Sequence, residues 1–365
     1  MIKVMKGGEK MIEMTSLERC TTALNFQIPD RIPVVPQSFM FACKTAGYRI
    51  GQINRSGKLM AETHLISQSR YGYDGVVIDI DDCSLAEACG ARVIFRDNDV
   101  AVVDESRPLL KNLRDVEDLE VPDPLKAGRL PEWLGATKIL SEKIGGHVFI
   151  MGRADQGPFD LACLLRGTEQ FMIDLVDEDP EDIKKVISYC RNVAAAFAKA
   201  QKDAGAHATS IGDSYSGPNL VSPAVYRNFA LEPETALTKE VQDYGIPFSI
   251  HICGNTTSIL ADMVKTGAKI LELDWQVDMA YAKQIIGNKA VIMGNVDPSD
   301  PLVWGTPEQV DAKAREVIEK TGGIGLFLSS GCAAGYNTPE ENFTALVKAA
   351  GKYGTCEQIM GMQKK

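Results

Sequence analysis

From about residue 147 onward, short apolar runs alternate with longer amphipathic stretches. The runs predict strands at His147–Arg153, His207–Asp213, Pro247–Cys253, Lys269–Asp274, Ala290–Asn295 and Gly323–Ser330. Between and after them, helical periodicity covers 159–176, 180–204, 223–244, 256–266, 278–286, 306–320 and 339–352, with Pro180 suited to a first helical turn. Further upstream, Gly75–Asp81 (GVVIDID) is an apolar run that turns acidic at its C-terminal end. Nearly all-apolar strands alternating with helices imply a parallel sheet covered on both faces. The number of repeats predicts a closed TIM-type (β/α)8 barrel rather than an open doubly wound sheet. No Gly-x-Gly-x-x-Gly follows a strand, which also disfavours a dinucleotide-binding fold.

The N-terminal part has its own pattern. A helix is predicted over Ser16–Leu24 behind the capping residues Thr15 and Ser16, and another over 57–70. Arg92–Phe95 and Val100–Val103 read as a small hairpin around Asp97-Asn98-Asp99, and a polar, proline-punctuated connection fills 112–135. Residues 1–15 are therefore expected to be a tail. Residues 16–355 form one barrel domain with an N-terminal helical and hairpin extension. The 365 residues accommodate this, since a barrel needs about 250.

Composition narrows the function classes. The formal charge is −10 with no basic block, which argues against nucleic-acid binding. No apolar run approaches the roughly 18 residues of a membrane helix, and MIKVMKGGEKMIEM lacks the apolar centre of an export signal. A cytoplasmic protein is expected, and a homo-oligomer is compatible with the pattern. The nine cysteines are odd in number and scattered, so they do not read as a disulfide framework.

The chemistry-bearing residues concentrate where strands end. Asp81, Arg153, Asp213, His251 with Cys253, Asp274, Asn295 and Cys332 all fall at or just past a predicted C-terminal end, the rim at which barrel enzymes place their active sites. In Phe248–Gly254, alternation puts Ser249, His251 and Cys253 on one face. With Cys332 from another rim position, one imidazole and two thiolates make a zinc donor set that leaves a fourth position open. Buried thiols beside a structural histidine give the same pattern. Gly254 and Gly331 flank the two thiols and permit tight turns. Asp213, Glu272 and Asp274 are candidates for a fourth ligand or supporting contact, or for hydrogen bonds within the loops. His147 and His207 read as structural, and His64 as lying on a helix surface.

Five stretches carry a family resemblance: Asp30-Arg31-Ile32-Pro33-Val34, Glu87-Ala88-Cys89-Gly90, Gly212-Asp213-Ser214, Gly294-Asn295-Val296-Asp297-Pro298 and Thr338-Pro339-Glu340-Glu341-Asn342. With them the chain resembles the uroporphyrinogen decarboxylase superfamily from about Ser16 to Lys352. It looks more like the corrinoid-dependent branch, the methylcobalamin:coenzyme M methyltransferases, whose His-x-Cys and distant Gly-Cys zinc ligands match His251, Cys253 and Cys332. The decarboxylase has Gly-His where this chain has Gly331-Cys332, and a Met-Arg-Gln-Ala-Gly-Arg segment where this chain has only Thr45-Ala46-Gly47-Tyr48-Arg49.

The resemblance implies a zinc-dependent methyltransferase. It would move a methyl group between methylcobalamin, held by a separate corrinoid protein, and a thiol or related acceptor. Asp81, Asp213 and Asn295 are its candidate catalytic residues; for Asn295 a loop-fixing role is the alternative. No Asp-x-His-x-x-Gly is present, so the corrinoid is expected to arrive on a partner. The competing reading is metal-free decarboxylation of a porphyrinogen through Asp81, which falls where the decarboxylase has its essential aspartate.

Overall fold

The structure is a computed structural model and describes residues 13–79 and 81–364. The expected N-terminal tail lies outside them up to residue 12. In chain order the strands are β1 (Gly75–Ile78), β2 (Val93–Ile94), β3 (Val102–Val103), β4 (Phe149–Gln156), β5 (Ala208–Gly212), β6 (Phe248–Ile252), β7 (Ile270–Leu273), β8 (Val291–Val296) and β9 (Leu326–Ser330). Seven of them form one parallel sheet, in the order β1-β4-β5-β6-β7-β8-β9, and β2 pairs with β3 as the expected antiparallel hairpin. With helices between successive strands, this is a TIM-like α/β fold.

The two edges of the sheet do not face solvent. Segment 33–35 lies between them: Val35 N donates to Leu328 O and Leu328 N to Pro33 O, while Asp74 N and Gly75 N both donate to Val34 O. The prolines around this segment explain why it reads as extended rather than as a strand.

Alternation sorts the strand side chains into two cores. Ile250, Ile252, Leu271, Leu273, Ile292 and Leu328 point outward under the helices. Val77, Phe149, Met151, Ile270, Val291 and Phe327 point inward and pack with Cys20, Ala23 and Leu24. Those three residues belong to helix Ser16–Leu24, which carries the expected cap at Thr15 and plugs the bottom of the sheet's interior. Above this apolar floor the inward positions turn polar, beginning with Arg153, Ser249 and Glu272.

One buried ion cluster ties the plug, segment 33–35 and β1 together. The fully buried Asp74 accepts from Arg19 Nη1 (2.6 Å), Arg31 Nη1 (2.6 Å), Ser16 Oγ (2.7 Å) and Val34 N (2.8 Å). Asp30 accepts from Nε and Nη2 of Arg19, and the Met14 carbonyl accepts from Nη2 as well. The Asp30-Arg31 pair is thus part of how the sheet's edges are joined.

Three sequence expectations need correction. β4 runs to Gln156 rather than stopping at Arg153, because it contains a bulge. The helix over 159–176 is two helices, Pro158–Arg166 and Thr168–Asp177, broken at Gly167 where φ is +87°. His64 is not on a helix surface: it is buried inside helix Gly57–Tyr71.

Two predictions follow from this packing. Asp74→Ala leaves Arg31 without its carboxylate partner and Arg19 with Asp30 alone, and should lower unfolding free energy by about 3–5 kcal/mol, measured by denaturant titration against Asp74→Asn as the milder variant. Burial pulls His64 down to about 4, so between pH 6.5 and 4 the unfolded chain binds a proton that the folded chain refuses. Stability from this residue is therefore intact at pH 7 and falls with acidification, by up to about 3 kcal/mol. A His64→Gln protein should show a shallower loss between pH 7 and 5 than the unsubstituted protein in parallel urea titrations.

Candidate metal centre and its cavity

A cavity of about 430 Å³ opens at the C-terminal ends of the strands, and His251, Cys253 and Cys332 all line it. Their positions follow from register. His251 pairs laterally with Gly212 on β5 and Glu272 on β7, and Cys253 is the first residue past β6. Cys332 follows β9 by two residues. One donor atom from each of the three lies within 4.8 Å of the others. His251 Nε2 is 2.9 Å from Cys253 Sγ, and the two sulfurs are 3.6 Å apart without a bond.

The glycines beside the thiols are required by space. A Cβ on Gly331 would lie 2.5 Å from the Trp275 amide nitrogen, and one on Gly254, at φ +84°, would sit 2.0 Å from Asn219 Nδ2. These close approaches bring the two sulfurs to one point.

The electrostatics match a metal donor set. His251 Nδ1 faces the Glu272 backbone oxygen at 3.2 Å. A carbonyl only accepts, so Nδ1 carries the hydrogen and Nε2 is turned toward the sulfurs. With protein groups alone, the hydrogen bond from Cys332 and the neighbouring imidazolium pull Cys253 down to about 3, against burial. Burial alone would lower His251, but the adjacent Cys253 thiolate outweighs it and holds the ring at about 9. Cys332 is pushed up because it donates to that thiolate. The trio concentrates negative charge on sulfur and aims Nε2 at it, so a borderline-soft cation that displaces the shared proton would find three donors in place.

Beneath the trio lies a buried polar layer. Glu272 Oε2 accepts from Arg153 Nη2 (3.1 Å) and Gln37 Nε2 (3.1 Å), and Oε1 accepts from Ser249 Oγ (2.8 Å). Arg153 also pairs with Asp79 at 3.2 Å. The three candidate fourth ligands are committed elsewhere: Glu272 to this layer, Asp274 Oδ1 to the Gln276 amide and Asp213 Oδ1 to the Asp160 amide. Among the described residues the donor cluster contains His251, Cys253 and Cys332 and no fourth member.

The three candidate catalytic residues occupy different places. Asp81 lines the cavity, but Arg129 grips both its oxygens, at 2.6 and 3.2 Å. Asp213 is fully buried behind the rim. It accepts from the Asp160 amide (2.7 Å) at the start of helix Pro158–Arg166, and burial raises it to about 6. Asn295 holds a loop, donating from Nδ2 to the carbonyls of Asp274 and Val277. As expected, His207 is structural, accepting from the Ile150 amide.

The sequence reading passed over Asp79, Asp82, Asp155 and Gln156. Asp79 and Asp82 stood in plain view beside Asp81. Asp155 and Gln156 are placed by the bulge: Arg153 pairs with Ser210 and Gln156 with Gly212, so β4 carries one extra residue. Arg153 and Gln156, three apart, therefore both line the cavity, which strict alternation forbids.

The fold and this rim define a TIM-like α/β protein with a His-Cys-Cys metal-donor cluster at the mouth. The uroporphyrinogen decarboxylase (URO-D) family model matches residues 15–353, and the chain belongs to that family. It is 31% identical over 355 residues to the methylcobamide:CoM methyltransferase MtbA of Methanosarcina mazei, covering 94% of this chain and 99% of that one. It is 29% identical to MtaA of Methanosarcina barkeri, again covering 94% and 99%. A uroporphyrinogen decarboxylase of Syntrophotalea carbinolica is 26% identical over 302 residues, covering 81% of this chain and 84% of that one. A solved methyltransferase from Methanosarcina mazei superposes with a TM-score of 0.86 at 28% identity, covering 93% of this chain and 99% of that one. The resemblance to the corrinoid-dependent branch of the family is thus borne out, and the end-to-end relatives named here are enzymes of that branch.

Because Gly331 packs against the Trp275 backbone, Gly331→Ala must displace the loop that carries Cys332. Zinc affinity should fall roughly 10- to 100-fold, the scale seen when a ligand's support is lost, in a competition titration with a chromogenic chelator. Unchanged affinity would show that the loop moves without cost.

Proposed function

We propose that this protein is a zinc-dependent methyltransferase that moves a methyl group between a corrinoid on a partner protein and a thiol. The observation that carries this reading is the convergence of His251 Nε2 with the Cys253 and Cys332 sulfurs in an open cavity, with His251 Nδ1 held by the Glu272 carbonyl. Zinc, when bound by these three residues, supplies a Lewis acid at a site with room for a substrate sulfur, whose proton it makes easy to lose.

The chain's own residues do the rest. His251, Cys253 and Cys332 fix where the substrate sulfur sits. The Glu272 carbonyl keeps His251 in one tautomer and one orientation. The cavity opens outward, so the methyl carrier approaches from solvent on its own protein. In the methylating direction, the thiolate electron pair forms the new S–C bond, the Co–C bond breaks with its pair left on cobalt, and the thiol proton goes to solvent. The demethylating direction is the reverse.

The names of the relatives support this assignment over decarboxylation, and so does Asp81. Both of its oxygens are already bound by Arg129, which leaves little for a porphyrinogen. The thiol ligands need a reducing compartment, which supports a cytoplasmic location. Among the described residues no helix is long and apolar enough to cross a membrane.

The purified protein should hold one zinc per chain and methylate a thiol from free methylcobalamin. The Cys332→Ala protein should hold far less than one zinc and lose methyl transfer. Stoichiometric zinc in the Cys253→Ala/Cys332→Ala double variant, by elemental analysis, would sink the assignment.

A further inference from the structure

At the same cavity stands a second group of side chains that the zinc reading leaves idle: Asp79 and Asp82 line it, and Asp155 lies against them. Asp79, Asp82 and Asp155 each place a carboxylate oxygen within 4.8 Å of the other two. Arg153 pairs with Asp79, and Asp82 and Asp155 have no salt bridge among the described residues. Asp155 is 4% exposed, and its Oδ1 has no hydrogen-bond partner, while Oδ2 accepts from the Leu85 amide. Gln156, outside the acidic group, is an independent sign. Its side chain is 2% exposed and lines the cavity, yet neither its nitrogen nor its oxygen has a partner. Leaving such buried groups unsatisfied is costly, so their natural partner is a ligand.

We propose that this wall binds a cationic ammonium group, and that the thiol substrate is therefore an aminothiol rather than an anionic thiol. The inference rests on the thiol methyltransferase reading and names its substrate class.

Three arguments select the ammonium. An ammonium nitrogen about 2.8 Å from three oxygens in tetrahedral directions spaces those oxygens by about 4.6 Å, which the observed limit allows. Burial and repulsion from Asp82, Asp79 and Asp81 drive Asp155 well above its ordinary value, a stress that a bound cation relieves. Five aspartates line the cavity; Asp79, Asp81 and Asp99 pair with Arg153, Arg129 and Arg96, which leaves Asp82 and Asp160 there without a salt bridge among the described residues. A sulfonate would enter that field unfavourably. Asp79, Asp82 and Gln156 line the same cavity of about 430 Å³ as the metal donors, so a small molecule can span the two.

The test compares thiols of equal length on the zinc-loaded protein with methylcobalamin: 2-aminoethanethiol, 2-mercaptoethanol and 2-mercaptoethanesulfonate, the last being coenzyme M. The aminothiol should exceed the sulfonate in kcat/KM by at least roughly tenfold, each normalised to the neutral thiol. That ratio should collapse in Asp82→Asn and Asp155→Asn; Asn tolerates the left-handed backbone at residue 155 (φ +62°), so the second variant should fold. A sulfonate preference in the unsubstituted protein, or a ratio untouched by both substitutions, overturns the proposal. Calorimetric titration with 2-(methylthio)ethylamine against 2-(methylthio)ethanol reads the ammonium site without any chemistry. Tighter binding of the amine, weakened in Gln156→Leu, supports the site even if no thiol is methylated, an outcome that would fail the methyltransferase reading alone. Equal binding of the two thioethers, or magnesium bound at the wall without competition from the amine, overturns it.

Discussion

The buried Glu272–Arg153 pair is the constraint on which the mouth of this protein depends. Placing two charges where both residues are almost wholly removed from water is costly, and only dense hydrogen bonding makes it tolerable. That bonding is present: Glu272 accepts from Arg153, Gln37 and Ser249. Hydrophobic replacements could fill the same volume and would serve stability as well or better. What they could not do is hold the two functional walls. The Glu272 backbone orients His251, and its carboxylate anchors the guanidinium that pairs with Asp79. One residue of β7 thus positions a candidate metal ligand through its carbonyl and a member of the acidic wall through its side chain.

The division between floor and mouth has a simple origin. Inward side chains alternate along parallel strands, so successive inward positions form layers. Phe149, Met151, Ile270 and Phe327 fill the lower layers with apolar volume against the plug helix. One step up, the same alternation delivers Arg153, Ser249 and Glu272; at the strand ends it delivers His251. The order along each strand, apolar and then polar toward the C-terminal end, supplies both a stable core and a reactive rim.

Much of this was legible because it is periodic. The strands, most helices and the pairing of His251 with Cys253 on one face are consequences of a period of two or of 3.6. What was not legible breaks the period or is long-range. The bulge in β4 shifts the facing of Asp155 and Gln156 by one position, and no local composition marks it. Segment 33–35 is too short and proline-rich to read as sheet, yet it pairs with both edge strands. His64 looked like a surface residue because helix Gly57–Tyr71 mixes polar and apolar residues around its circumference, and only tertiary packing decides which are covered. Asp81 drew attention by its position in the run, whereas the structure commits Asp81 to Arg129 and places Asp79 and Asp82 beside it in the cavity.

That last exchange bears on how one fold supports different chemistries. Decarboxylation through Asp81 would call for a free carboxylate at the mouth; here that aspartate is paired with Arg129. A guanidinium held bidentate by a buried carboxylate is among the strongest side-chain pairings available, so Arg129 converts Asp81 from a reagent into a strut between the loop after β1 and helix Leu130–Ile144. The acidic groups left at the mouth are then Asp82, which lines the cavity, and Asp155 against it, one loop residue and one bulge residue. Loop and bulge positions change without disturbing the layers beneath them. The sulfur ligands obey the same logic, since Cys253 and Cys332 lie just past their strands while their orienting partner, Glu272, lies within one. Chemistry is carried where the backbone is free to vary, and its geometry is inherited from the layer below, where it is not.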